Sequence, residues 1–315
     1  MKTYSLLTLV LFLGGVALSA CQPATAVTQN TPVPTQPPAP TEPPAPTENP
    51  DPWQTVGEHT VKFQTLLVGF ENENYGITIG EHGEVHYTTD AGANWPRSEN
   101  TSAGLYGLDI LDAQTAWSCG GMGMRFTSDG GQTWQEASVF GGGVPSHCRF
   151  LSFSDDQVGW AATAAKLGTT ADAGMTWNEA ILPDGVDTIA AISQFAPEQG
   201  YLLDVTGKLY STADNAQTWT SVGELPLDNI EIQSMNYPVT AMRFFDTTKG
   251  MIVIAAIVDG KAQVTAFRTG DGGQTWTKEI VLEGYGIPYL SRDGKTLTLF
   301  SLPYKATVLQ YHGEE

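Results

Sequence analysis

Basic residues are scarce in this sequence. The 315-residue chain contains 15 lysines and arginines against 34 aspartates and glutamates, which gives a formal net charge of -19. A protein that binds nucleic acid needs a concentrated basic surface to neutralise phosphates, and adhesion to anionic lipid headgroups needs one too. The charge balance therefore disfavours both nucleic acid and a bare anionic membrane surface as partners.

Cysteine is also rare, with three residues, and there is no apolar run long enough to span a bilayer. The one notable apolar run covers residues 6–20 and ends in Leu18-Ser19-Ala20-Cys21, which resembles a bacterial lipobox. We predict a lipoprotein signal peptide over residues 1–20 and lipidation of Cys21, with an ordinary cleavage site as the alternative. The predicted location is outside the cytoplasm, anchored by lipid to the outer face of the cell membrane or to the periplasmic side of an envelope membrane.

The segment after the signal is rich in proline. Residues 22–52 hold 11 of the 19 prolines, a density that favours extended polyproline II conformation over a packed core. We interpret residues 21–52 as the lipidated cysteine and a passive linker. The remaining residues, 53–315, are predicted to form the folded domain.

Five octets with one pattern dominate the folded part. They cover residues 88–95, 127–134, 170–177, 212–219 and 269–276, and they share Thr-x-Asp-x-Gly-x-x-Trp with one alanine in place of glycine. The shared residues are Asp90, Gly92 and Trp95; Asp129, Gly131 and Trp134; Asp172, Gly174 and Trp177; Asp214 and Trp219; and Asp271, Gly273 and Trp276. The aspartates are 39, 43, 42 and 57 residues apart, a period typical of one four-stranded propeller blade. Each octet is predicted to be a turn in which the aspartate accepts backbone N–H groups, the glycine permits positive φ and the tryptophan clamps the turn to the sheet.

The number of octets does not by itself give the number of blades. A sixth unit is recognisable over residues 287–311, but it has no octet, whereas Trp53-Gln54-Thr55-Val56 resembles the strand that follows an octet. We expect this N-terminal strand to complete the last blade and close the ring, which leaves no open sheet edge. The predicted fold is therefore an all-β propeller of four-stranded blades, with six blades favoured and seven as the alternative.

The octets resemble the Asp-box, or BNR, repeats of the sialidase-like superfamily of propellers. The longer repeat unit, from Gly159-Trp160 to the octet that ends at Trp177, is similar to that of photosystem II stability and assembly factor-like propellers. This second resemblance implies a non-catalytic binding or assembly module with a basic patch in its binding surface. Only Arg268 matches an arginine of that patch closely.

No set of catalytic residues emerges from the pattern. A sialidase-like site implies an arginine ahead of the first octet, but the first arginine of this chain is Arg97, which follows that octet. Other glycosidases need only two carboxylates, and no pair is singled out among the many acids. We therefore assign no catalytic residue, no metal and no cofactor, and keep a glycoside hydrolase acting on extracellular glycans as the alternative function.

Two cysteines remain after Cys21. In an exported protein Cys119 and Cys148 are expected to form a disulfide, with two separate thiols as the alternative. The repeat register places both at one face of the propeller, where loops between blades collect. The candidate residues for a ligand face are Arg149, His147, Glu231, Tyr237 and Arg268. We predict a membrane-tethered extracytoplasmic module that binds a protein or a glycan.

Overall fold

The computed structural model describes residues 52–61, 64–98, 104–121, 123–139, 147–232, 239–301 and 304–313. All regular structure in these ranges is β-strand, and the strands form six antiparallel sheets. The same ranges hold no helix that is long and apolar enough to cross a bilayer.

Each sheet is one blade of a propeller, and the strands occur in chain order. Blade 1 contains β2 (Thr65–Phe70), β3 (Gly76–Gly80) and β4 (Val85–Thr88). Blade 2 contains β5 (Leu105–Ile110), β6 (Ala116–Gly120), β7 (Gly123–Thr127) and β8 (Gln135–Val139). Blade 3 contains β9 (Phe150–Phe153), β10 (Gly159–Ala162), β11 (Leu167–Thr170) and β12 (Asn178–Glu179). Blade 4 contains β13 (Ile189–Ala196), β14 (Gln199–Asp204), β15 (Lys208–Thr212) and β16 (Thr220–Glu224). Blade 5 contains β17 (Thr240–Phe244), β18 (Gly250–Val258), β19 (Lys261–Thr269) and β20 (Thr277–Glu283).

Blade 6 combines the two ends of the folded chain. It contains β21 (Ile287–Leu290), β22 (Thr296–Ser301), β23 (Lys305–Tyr311) and, as its outermost strand, β1 (Trp53–Thr60). Trp53 pairs with Tyr311 and Thr60 pairs with Lys305, with a bulge between Thr55 and Gly57. The predicted closure by an N-terminal strand is therefore confirmed, and so is the count of six blades.

The first strand of every blade faces the central axis. The first strands β2, β5, β9, β13, β17 and β21 contact one another in a closed ring. Because successive strands are antiparallel, the octets and the turns between first and second strands lie at one end of the blades, which we call the octet end. The loops between blades and the turns between second and third strands lie at the other end, which we call the disulfide end.

Aromatic side chains join one blade to the next. Trp117 of blade 2 stacks on Phe153 of blade 3 with 3.8 Å between ring centroids, and Phe153 makes an edge contact with the octet tryptophan Trp177. Tyr201 of blade 4 stacks in the same way on Phe244 of blade 5. These rings are buried, and burying a large apolar side chain contributes roughly 1.5–3 kcal/mol. The buried apolar side chains thus form several clusters, among which these aromatic contacts join neighbouring blades.

Candidate functional site

The octets form nearly identical turns at the edge of the molecule. In each, the first threonine donates its hydroxyl to the aspartate Oδ1 at 2.8 Å, and the residue four positions beyond the aspartate donates its N–H to the same oxygen at 2.8 or 2.9 Å. The two central residues have positive φ in all five octets, which explains the glycine-rich pattern. Local hydrogen bonds thus account for every octet aspartate.

Those hydrogen bonds stabilise the charged carboxylate. Donation from Thr218 and Thr275 lowers the pKa of Asp214 and of Asp271 to about 2. A carboxylate of this kind is a strong acceptor and a poor general acid near neutral pH. The octets are structural turns, and the ligand site has to be sought elsewhere.

The disulfide end holds most of the candidate ligand residues. Cys119 and Cys148 form a disulfide that joins blade 2 to blade 3, with both cysteines fully buried. His147 beside it is exposed, and Arg149 lines a cavity of about 60 Å³ among the first strands. Glu231 lines a wide depression of about 500 Å³ in the loop before blade 5, whereas Tyr237 lies outside the described residues.

Arg268 does not belong to that group. It lies on β19 next to the octet threonine Thr269, and its guanidinium stacks on the ring of Tyr311 at 3.7 Å. This position is at the octet end, opposite to His147 and Arg149. The candidate ligand residues therefore lie in two separate regions, because Arg149 directly precedes β9, at the disulfide end, whereas Arg268 lies near the end of β19, at the octet end.

A ring of six residues that the repeat analysis did not single out lines the axis. Each member precedes the last residue of its first strand or, in blade 4, the equivalent residue of the repeat. The members are Gly69, Asp109, Ser152, Ser193, Arg243 and Tyr289. We call this set the axial ring. Its polar members bond across blade boundaries, so blades 2 to 6 are tied to one another at the centre.

Three members of the axial ring accept a backbone N–H from the next blade. Asp109 accepts from Phe153 at 2.7 Å, Ser152 from Gln194 at 2.8 Å and Ser193 from Phe244 at 2.8 Å. Tyr289 instead reaches past blade 1 to accept from Ile110 at 3.0 Å. Gly69 makes room for that reach, because a Cβ at Gly69 would lie 2.8 Å from the ring of Tyr289.

Two arginines cross the axis. Arg243 of blade 5 forms an ion pair with Asp109 of blade 2, and Asp109 is fully buried. Arg292, in the turn after β21, donates to the carbonyl oxygens of Phe153, at 2.7 Å, and Ser154 in blade 3. Each arginine thus bonds to the blade opposite its own in the six-membered ring. Among these contacts, only that of Arg243 is to a carboxylate.

A large groove opens beside these arginines at the octet end. Its volume is about 680 Å³, and its walls come mainly from blades 5 and 6: residues 193–195, 243–246, 249–251, 268–270, 277, 292–295 and 311. It extends from the axis, at Ser193 and Arg243, outward to Thr277 and Tyr311. We call it the blade 5–6 groove.

The blade 5–6 groove is cationic in an acidic protein. Five of the 15 basic residues of the chain line it, namely Arg243, Lys249, Arg268, Arg292 and Lys295. Among the residues that the structure describes, the acids that line it are Asp246 and Asp293, and each accepts hydrogen bonds within its own turn. Asp246 accepts three bonds from Thr248 and Lys249, and Asp293 accepts from Ser291 and Lys295. The groove is suited to an anionic ligand.

Part of this site was open to prediction. When the repeats are aligned, each blade contributes one residue to the axial ring. Asp109 and Arg243 come from blades that are three apart, and in a six-bladed ring such blades lie opposite each other. The groove could not be predicted from the repeat, because its basic residues occupy unrelated positions in the blades. They lie in the turns between first and second strands of blades 5 and 6, in the axial ring and on the third strand of blade 5.

The comparisons with known proteins concern the fold. No protein-family model matches the sequence, and no curated protein matches it. A solved structure of YCF48 bound to a D1 peptide is 13% identical, with a TM-score of 0.52, and the match covers 84% of this chain and 98% of that chain. An ancestral GH74 enzyme is 11% identical, with a TM-score of 0.51, over 80% of this chain and 36% of that chain. At these identities the likenesses show a shared propeller fold.

Proposed function

We propose that this protein is a non-catalytic binding or assembly module that recognises an acidic polypeptide segment in the blade 5–6 groove. The observation that carries the proposal is the concentration of five basic residues in one groove of a chain whose net charge is -19. Cations gathered against the overall charge of a protein create a local field that attracts an anionic partner.

The apolar side chains in the lining of the groove favour a polypeptide over a small inorganic anion as the ligand. Its walls also contain Phe195, Phe244, Phe245 and Met251. Phe245 is partly exposed, and a Cβ at Gly294 would clash with its ring. The turns between the first and second strands of blades 5 and 6 therefore contact each other across the groove. Apolar side chains interspersed with acids would find complementary surface here. The likeness in fold to YCF48, whose structure contains a bound D1 peptide, agrees with a polypeptide ligand.

The proposed setting is extracytoplasmic. Lipid on Cys21 would anchor the chain, and the proline-rich residues 22–52 would hold the propeller away from the membrane, up to roughly 95 Å at about 3.1 Å per residue. A partner in the same envelope would then meet the groove at high effective concentration. The repeat's similarity to photosystem II assembly factor-like propellers supports a role in assembling such a partner.

Charge reversal within the groove tests this function. Binding of a fluorescein-labelled hexaglutamate peptide to the full chain is measured by fluorescence anisotropy at low ionic strength. The double variant Lys249→Glu/Lys295→Glu should weaken binding by about tenfold or more, since unlike charges near a protein surface interact by a few kcal/mol at close range. The matched control Lys208→Glu/Lys261→Glu makes the same charge change on β15 and at the tip between β18 and β19, away from the groove.

Equal weakening by both double variants would show a non-specific charge effect and contradict the groove as the site. A second arm addresses the fold that the protein shares with a GH74 enzyme. Turnover of a panel of aryl glycosides, lost on substitution of Asp246 or Asp293, would replace the binding module with a glycoside hydrolase.

A further inference from the structure

Glu71 lies beside Arg292, one of the residues that line the blade 5–6 groove. It directly follows β2, is partly buried, and accepts the backbone N–H of Arg292 with both carboxylate oxygens, at 3.1 and 3.2 Å. Glu71 is not among the residues that line the groove, but Arg292 is. Because the guanidinium of Arg292 bonds to two neutral carbonyl oxygens, these contacts do not cancel its charge.

Other ionisable groups face Glu71 from every side of this cluster. They are Asp109 on β5, Arg243 on β17, Tyr289 on β21, Arg292 and Asp293 in the turn after β21, and Tyr75 before β3. Arg243 and Asp109 neutralise each other, and Asp293 is exposed in its own turn. Burial raises the pKa of both tyrosines, so they stay uncharged. Glu71 is left as the group whose ionisation decides the net charge of the cluster that contains Arg243 and Arg292.

We propose that Glu71 couples anion binding in the blade 5–6 groove to the uptake of a proton. With Glu71 protonated, Arg243, Arg292 and Asp109 together carry one net positive charge, which attracts an acidic ligand. With Glu71 ionised, its carboxylate cancels that net charge, and the ligand is held less tightly. This inference rests on the proposed function, since it concerns regulation of the same groove.

The environment of Glu71 places this change near neutral pH. Burial raises its pKa to about 8, against the opposing effect of Arg243. The carboxyl is therefore protonated below about pH 8 and ionised above it. Binding and protonation are reciprocally linked, so a bound anion raises the pKa of Glu71 further and the free protein takes up a proton as it binds.

The test measures the affinity of the full chain for fluorescein-labelled hexaglutamate between pH 6.5 and 9.5, a range in which the peptide carboxylates stay ionised. For the native chain we expect the affinity to fall by about tenfold across this range, equivalent to roughly 1.4 kcal/mol. Glu71→Gln keeps an oxygen that can accept from Arg292 and mimics the protonated acid. This variant should bind at pH 9.5 as tightly as the native chain does at pH 6.5, with no step near pH 8.

A matched control separates Glu71 from general charge effects. Glu73→Gln removes an exposed carboxylate from the same turn and should leave the step near pH 8 in place. Calorimetry at pH 8 in two buffers of different ionisation enthalpy should show proton uptake by the native chain and none by Glu71→Gln.

The possible outcomes distinguish proton coupling through Glu71 from the proposed binding of an acidic polypeptide in the groove. Binding that is equally tight at all pH values, or a step that persists in Glu71→Gln, would overturn proton coupling and leave the binding module intact. Absence of binding at every pH would count against both.

Discussion

The octets and the axial ring occupy fixed positions in the same repeat, yet one is uniform and the other varies from blade to blade. Asp129, Asp172 and their equivalents make the same bonds in five blades. The axial ring instead contains a glycine, an aspartate, two serines, an arginine and a tyrosine. Both regions satisfy backbone donors, but the octet does so within eight residues, whereas the ring does so between blades.

This difference separates what builds a blade from what makes this particular propeller. A turn whose hydrogen-bond donors and acceptors all lie within the same octet can recur unchanged in every blade, because it does not depend on residues of other blades. A residue at the axis meets side chains from other blades, so its identity depends on theirs, as Gly69 and Tyr289 illustrate. Of the five basic residues that line the groove, Arg243 belongs to the axial ring and Arg292 bonds across the axis to blade 3. Four substitutions test the comparison, in order of decreasing expected effect.

The largest effect is expected at Arg243. Arg243→Met removes the ion-pair partner of the fully buried Asp109. An uncompensated buried charge destabilises a protein by about 3–5 kcal/mol. Urea unfolding of the full chain at pH 7 should show this loss.

A second variant distinguishes charge from packing. Asp109→Ser/Arg243→Met should recover most of the stability, because Ser152 and Ser193 already accept the same kind of inter-blade N–H in other blades. If the double variant is as unstable as Arg243→Met, a serine at position 109 cannot replace the aspartate as acceptor of the inter-blade N–H.

The second effect concerns a link between blades outside the axis. Cys119 and Cys148 are separated by 29 residues and join blade 2 to blade 3, the same two blades that Asp109 and the N–H of Phe153 connect. Closing a loop of this length lowers the entropy of the unfolded chain by an amount equivalent to about 3–4 kcal/mol. Cys119→Ala/Cys148→Ala should lower the unfolding free energy by about this much. Anisotropy with the hexaglutamate peptide should remain unchanged, since the disulfide lies at the opposite end from the groove.

The contrast between octets and axis also explains how far the sequence predicts the structure. The octets and the N-terminal strand at Trp53 suffice to predict blades and closure, since these depend on local pattern and on strand count. The axial pair of Asp109 and Arg243 could have been predicted only after the number of blades was decided. The blade 5–6 groove could not, because Lys249 and Arg268 occupy unrelated positions that only the folded ring brings together.

The third prediction tests whether Tyr289 requires a glycine at position 69 in the axial ring. Gly69→Ala places a methyl group 2.8 Å from the ring of Tyr289, which is closer than van der Waals contact allows. Overpacking of this kind destabilises by about 1–3 kcal/mol. Gly121→Ala is the control, because its Cβ would meet nothing within 4 Å. Equal unfolding midpoints for the two variants would contradict the claim that Tyr289 requires a glycine beside it.

The smallest effect is expected in the octets, even though they are the most regular feature. Burial alone would raise the pKa of Asp129, but hydrogen bonds from Thr133 and Thr127 lower it below its usual value. The charged form therefore contributes stability that is present above about pH 4 and is lost as the pH falls below that value. Because Asp129 is only partly buried and solvent screens its charge, Asp129→Asn should cost less than about 1 kcal/mol at pH 7. The difference from the native chain should shrink steadily as the pH falls below about 4. A loss at Asp129 as large as that at Arg243 would reverse the comparison and make the octets, rather than the axis, the main determinant of stability.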